Sequence, residues 1–190
     1  LFLNAIGIDI GGSKIAIGLV TPDGQLCNAA SLDIREIHTI SRFMASVQPV
    51  VDSFCKDEEI AGIGIGAPGP LDIDKGTLLN QYTLNHGLYG MNIVELFRRI
   101  YKIPVRLDHD VNTALWAHHC FSGADEKDIL MLTFGTGIGG AVLKNGIFLR
   151  GEGGSAPELG HILINERETS CYCGMSGCFE SMASGQRFNE

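Results

Sequence analysis

Short bursts of alternating apolar and polar positions open the chain and read as strands. Ala5-Ile6-Gly7-Ile8-Asp9-Ile10 predicts a first strand, Gly11-Gly12-Ser13-Lys14 a tight turn, and Ile15 to Val20 a second strand. Thr21-Pro22-Asp23-Gly24 then turns the chain into a third strand, from Gln25 to about Leu32. The period changes to helical between Ile37 and Cys55, where Ile37, Ile40, Met44, Val47 and Val51 recur on one face. Ile60 to Gly66 reads as a buried strand that runs into a stiff loop, Gly66-Ala67-Pro68-Gly69-Pro70. Asn92 is placed to cap a helix through Tyr101, and Pro104 to Asp108 forms a short strand feeding a helix from about Asn112 to Phe121.

Near residue 123 the opening pattern returns. Ile129 to Phe134 predicts a strand, Gly135-Thr136-Gly137 a glycine turn, Gly139 to Leu143 a strand, and Asn145-Gly146 a hairpin turn into Ile147-Phe148-Leu149. Gly11 and Gly135 lie 124 positions apart, and the same offset brings the Asp23-Gly24 turn within two positions of Asn145-Gly146. The chain is therefore expected to hold an internal duplication and two similar lobes, residues 1–122 and 123–190. A lobe of about 120 residues would leave the second short of its closing elements, so a fragment or truncation is expected.

Composition narrows the class of function. The 190 residues are 45% apolar and 19% charged, as in ordinary globular proteins with a real core. A formal net charge of −8 with scattered Lys and Arg leaves no footprint for nucleic acid. The apolar start, Leu1 to Ile6, is expected to be a buried strand, because it lacks a basic leader and meets Asp9 too soon for a signal peptide or membrane span. The absence of a leading Met suits a trimmed start. Of six cysteines, Cys171, Cys173 and Cys178 are crowded together, while Cys27, Cys55 and Cys120 stand singly. That distribution fits a reducing cytoplasm and one metal cluster better than a disulfide framework.

Four places could carry chemistry. At Asp9-Ile10-Gly11-Gly12-Ser13-Lys14, the glycines would let backbone N–H groups approach phosphate oxygens, Ser13 and Lys14 would add donors, and Asp9 could hold a metal ion or its water. Such a hairpin is equally a plain turn. The second glycine turn, Gly135-Thr136-Gly137-Ile138-Gly139-Gly140, has the same two readings, and two such turns in duplicated positions could clamp a polyphosphate between them. Asp110, where a strand gives way to a helix, could accept the proton of a substrate hydroxyl or simply satisfy free N–H groups at the helix start. The most specific signal is Glu158-Leu159-Gly160-His161 followed by Cys171-Tyr172-Cys173-Gly174-Met175-Ser176-Gly177-Cys178. Three thiolates and an imidazole make a closed tetrahedral zinc shell, which is structural in role, and His161 could still offer its other ring nitrogen to a ligand. Glu158 and Glu180 flank that site and could accept hydrogen bonds from sugar hydroxyls, though each could also be a solvated carboxylate.

Together these segments resemble the ROK family of bacterial sugar kinases and sugar-responsive repressors. The matching segments are Asp9 to Lys14, Gly66 to Pro70, Asp110-Val111-Asn112, Phe134 to Gly140, Glu158 to His161 and Cys171 to Glu180, so the likeness runs over nearly the whole chain. The resemblance implies a duplicated actin-like, ribonuclease-H-like α/β fold with a cleft between lobes, the second lobe incomplete in this chain. It implies Asp110 as general base and sugar contacts from His109, Asp110, Glu158, His161 and Glu180. It further implies zinc on His161, Cys171, Cys173 and Cys178, with ATP phosphates and Mg²⁺ near Asp9, Gly11, Gly12, Ser13, Lys14, Thr136 and Gly137. The implied activity is ATP-dependent phosphorylation of a hexose, glucose or an N-acetylhexosamine, by a cytoplasmic homodimer that engages neither nucleic acid nor membrane. The alternative is a non-catalytic sugar sensor or an inactive kinase fragment. Three departures stand out: His109 where the family usually has Asn, Tyr89 where many glucokinases have Trp, and the absence of the later adenosine-binding glycine segment.

Overall fold

The computed structural model describes residues 3–56, 58–79, 86–123, 125–165 and 169–185. Strands β1 (Asn4–Ile10), β2 (Lys14–Val20) and β3 (Leu26–Asp33) form the expected meander. They join β4 (Ile60–Ala67) and β7 (Val105–His109) in a five-stranded sheet of order β3-β2-β1-β4-β7, in which β4 runs parallel to β1 and to β7. Between β4 and β7 the chain makes a small hairpin, β5 (Leu71–Asp72) with β6 (Thr77–Leu78). Two-residue strands carry no detectable period, and none is expected there from sequence.

One face of this sheet is buried under two helices, α1 (Ile40–Cys55) and α2 (Ile93–Tyr101). Ile6, Ile8 and Ile10 of β1 join Ile63 and Ile65 of β4, Phe43, Val47 and Val51 of α1, and Phe97 of α2 in a single core, where the Phe43 and Phe97 rings meet edge to face. Helix α1 begins three residues later than expected. A single 3₁₀ turn, Ile34–Glu36, precedes it, and Thr39 caps it by accepting the Arg42 N–H at 3.1 Å. The buried stripe accordingly runs through Phe43, Val47, Val51 and Phe54, and Ile40 is exposed. Asn92 caps α2 as expected, accepting the Glu95 N–H at 2.9 Å.

The opposite face is made bare by glycines. In β4, Gly62, Gly64 and Gly66 alternate with Ile63, Ile65 and Ala67, so every second position lacks a side chain. Helix α3 (Asp110–Phe121) uses that space: a Cβ at Gly66 would come within 3.0 Å of Thr113 Oγ1 and 3.5 Å of the Asp110 Cα. Helix α3 starts two residues before the expected Asn112.

A second sheet of order β10-β9-β8 follows, from β8 (Ile129–Phe134), β9 (Ile138–Lys144) and β10 (Ile147–Phe148). Its inner side packs on α3, with Ala141 and Leu143 against Val111 and Leu115. The duplication is visible in the endpoints: Ile10 and Phe134 close their strands, Lys14 and Ile138 open theirs, and both pairs are 124 residues apart. Two 3₁₀ turns, Glu152–Gly154 and Leu159–His161, and a short helix, α4 (Phe179–Ala183), complete the described chain.

Candidate active site

A cleft of about 830 Å³ lies where the ends of β4 and β7 meet the β8–β9 hairpin and the cysteine-rich loop. That volume suits a small ligand, and the carboxyl ends of parallel strands are where α/β sheets place ligands. Of the residues singled out from sequence, Gly12, His109, Asp110, Thr136, Gly137, Glu158, Cys171 and Glu180 line it. Asp9, Gly11, Ser13, Lys14, His161, Cys173 and Cys178 stand outside the lining set, although Asp9 lies near enough for the Asp110 charge to act on it. Tyr89 is exposed and is not among the residues that line the cleft.

Asp110 opens α3, and its Oδ1 accepts the Val111 N–H at 2.8 Å. The capping position belongs to His109, whose side chain makes no capping bond. His109 is buried, and its Nε2 accepts the Ala156 N–H at 3.3 Å. Burial holds the imidazole below its ordinary range against the raising charges of Asp108 and Asp110, so it is neutral near pH 7. Gly69 brings this group together: a Cβ there would collide with the His109 ring and lie 3.0 Å from Glu158 Oε1. Beneath the cleft floor, Arg150 NH1 donates to Asp108 Oδ1 at 2.9 Å, and the Asn112 amide donates to the same oxygen at 3.0 Å. Burial alone would raise the Asp108 carboxyl, but the hydrogen bonds from Arg150 and Asn112 outweigh it and hold it below the usual range.

The two glycine turns spend part of their donor capacity internally. Gly11 N–H bonds the Lys14 carbonyl and Gly135 N–H bonds the Gly137 carbonyl, each at 2.9 Å. Gly12 is exposed on the cleft with open space where a Cβ would be. Gly137 has a different reason to be glycine, because any Cβ would collide with the Glu180 carboxylate. Glu180 is buried, and its Oε2 accepts the Ile138 N–H at 2.6 Å, which ties α4 to the second glycine turn.

The cleft is acidic. Burial pushes the Asp9 carboxyl up and the Asp110 charge adds to this, while Lys14 opposes it. Desolvation likewise raises Glu158; His161 pulls the other way, and the charges of Glu180 and Asp110 reinforce the rise. No Lys or Arg lines the cleft among the described residues. A polyphosphate entering it would therefore have to bring a cation, whereas sugar hydroxyls would find acceptors ready.

Beside the cleft, the ligand atoms of His161, Cys171, Cys173 and Cys178 all lie within 4.8 Å of one another. His161 Nδ1 is 3.6 Å from Cys171 Sγ, and Cys173 Sγ is 3.6 Å from Cys178 Sγ, separations that fit a tetrahedral Cys₃His shell around zinc. Gly174 and Gly177 adopt positive φ and let the loop close on itself.

A family profile described as "ROK family" matches residues 5–190. The chain belongs to the ROK family. A glucokinase of Halalkalibacterium halodurans is 30% identical over 189 residues, covering 94% of this chain and 56% of its own length. An N-acetylmannosamine kinase of Escherichia fergusonii is 30% identical over 187 residues, covering 97% of this chain and 62% of its own. A crystal structure of a ROK glucokinase from Streptomyces griseus in complex with glucose and AMPPNP superposes with a TM-score of 0.83 at 29% identity, over 96% of this chain and 58% of that one. The chain thus spans somewhat over half the length of these relatives. The actin-like α/β architecture expected for a ROK protein is the one found, with five strands in the first sheet and three in the second.

Two site features escaped the sequence. Tyr172 reaches from the cysteine loop into the cleft lining, and its only signal is an aromatic ring between two metal-spaced cysteines, where a small residue would serve. The Asp108–Arg150 pair joins positions 42 apart and has no local signature.

Proposed function

We propose that this ROK protein transfers the γ-phosphoryl group of ATP to a hydroxyl of a hexose, glucose or an N-acetylhexosamine, at the 6-position. The observation that carries the reading is the convergence of Asp110, His109, Glu158 and Glu180 with both glycine turns on one cleft beside a Cys₃His cluster. Asp110 is the general base and takes the proton as the sugar oxygen attacks phosphorus. His109, Asp110, Glu158, Glu180 and the outer nitrogen of His161 hold the sugar hydroxyls. Neutral His109, with Nε2 accepting from the backbone, has its Nδ1–H left to donate. Gly11, Gly12, Ser13 and Lys14 of the first turn and Thr136 and Gly137 of the second face the nucleotide phosphates, with Asp9 placed to hold a Mg²⁺ ion or its water. Among the described residues no Lys or Arg lines the cleft, Lys14 standing just outside the lining, and this supports a cation arriving with the nucleotide. Bound zinc would fix the loop that carries Cys171 to Glu180, and residues 1–122 and 123–190 would act as two lobes closing on the substrates. No helix among the described residues is long and apolar enough to cross a membrane. The reading carries with it a cytoplasmic homodimer that engages no nucleic acid.

The test is a coupled assay for ADP release with ATP, Mg²⁺ and a panel of glucose, N-acetylglucosamine, N-acetylmannosamine, mannose and fructose. Turnover on at least one sugar, falling about 10²- to 10⁴-fold in Asp110→Asn, is expected. Sugar binding without turnover would instead favour a sensor or an inactive fragment.

A further inference from the structure

His161 has two ring nitrogens in different surroundings. Nδ1 faces the Cys171 sulfur at 3.6 Å and is the nitrogen that would take the metal. Nε2 then carries the ring proton, and it has a single hydrogen to give. Its neighbour is the Tyr172 hydroxyl, 3.2 Å away, with the two rings edge to face at 5.2 Å between centroids. Glu180 lies near enough for its charge to act on the same phenol. Tyr172 thus touches one residue assigned to the sugar and feels the charge of another, and it lines the cleft itself.

A phenol hydroxyl accepts and donates as a sugar hydroxyl does. By accepting from His161, Tyr172 makes the bond that a sugar hydroxyl would make there. One N–H cannot serve both partners. We infer that Tyr172 is an internal competitor for the sugar: its hydroxyl occupies the outer nitrogen of His161, and a sugar engages that nitrogen only by displacing it. The inference rests on the reading of the cleft as a sugar site. With metal bound, Cys171 and Cys173 would anchor the backbone on either side of Tyr172, while Tyr172 itself is 55% exposed, so its ring is open to solvent. The phenol therefore sets sugar affinity without touching the general base.

The experiment is calorimetric titration of the zinc-loaded protein with the sugars of the panel above, comparing wild type with Tyr172→Phe. Phenylalanine keeps the ring against His161 and removes only the hydroxyl. Sugar is expected to bind about 3- to 10-fold more tightly to the variant, the worth of one lost competing hydrogen bond, with zinc content unchanged. A structural role alone would not raise affinity. Weaker binding would overturn the inference by making the phenol a sugar ligand in its own right, and equal binding would overturn it by removing the competition. If wild type bound none of the sugars, the functional reading would fall and this inference with it. Binding by wild type without tightening in the variant would remove only the role of Tyr172.

Discussion

The two meanders of this chain share a pattern and differ in what covers it. Ile6, Ile8 and Ile10 of β1 are 1%, 2% and 0% exposed, whereas the residues 124 positions later, Leu130, Leu132 and Phe134 of β8, are 61%, 38% and 62% exposed. Both strands are apolar at alternate positions. β1 has β2 on one edge, β4 on the other, and α1 and α2 over its face. β8 has β9 on one edge and, among the described residues, no strand on the other, while over the same face the Phe134 ring meets Phe179 of the short α4 edge to face. Alternation therefore specifies which face wants burial, while the neighbours decide whether burial occurs. The second region is held differently, by α3 from one side and by the loop that carries the Cys₃His cluster from the other.

The sharpest way to break the comparison is to remove the metal. Structural zinc in small domains carries on the order of 10 kcal/mol of binding free energy. Chelation, or Cys173→Ser, is expected to abolish amide-exchange protection around Leu159–His161 and Phe179–Ala183 and to leave β1, β2 and β4 protected. Simultaneous loss in both regions would show one cooperative unit. Next in size is Phe43→Ala, which empties a fully buried position beneath the first sheet and should cost about 3–5 kcal/mol in urea unfolding. Leu132→Ser, on the bare strand, should change stability by no more than about 0.5 kcal/mol and should improve solubility. Comparable losses from these two would contradict the contrast drawn between the strands.

Between them in size lies the link across the two regions, Arg150 to Asp108, worth about 1–3 kcal/mol as a charge-assisted hydrogen bond in a half-buried setting. Because the folded Asp108 pKa is depressed, the contribution is fully present above its unfolded value near 3.9 and is lost as pH falls through the folded value. Arg150→Met should therefore lower stability at neutral pH and flatten its fall on acidification below about pH 4, as followed by thermal melts.

Much of this arrangement is legible in the sequence for reasons that are local. Glycine turns, the Asn92 cap and the two halves of the repeat are each read from neighbours in the chain, and so is the cysteine cluster with His161 ten positions upstream. What the sequence hides is non-local. The Thr39 cap is the exception, as short-range as that of Asn92, and it moves the start of α1 and turns Ile40 outward. Gly69 has no turn signature for its role of seating His109 against Glu158, because those residues approach it from 40 and 89 positions away. Tyr172 looks like a spacer until the loop folds and lays its ring on His161. The family likeness points to Asp110, while its local setting, with one oxygen bonded to Val111 N–H, is equally that of a helix start.

Under the proposed function, this cleft moves a phosphoryl group onto a sugar. Phosphorus NMR of the protein with ATP, Mg²⁺ and either glucose or N-acetylmannosamine tests it most directly. The account predicts a sugar 6-phosphate resonance growing in step with ADP, and its absence with Asp110→Asn. ADP accumulating with inorganic phosphate and no sugar phosphate, or an unchanged sugar phosphate signal from the variant, would contradict it.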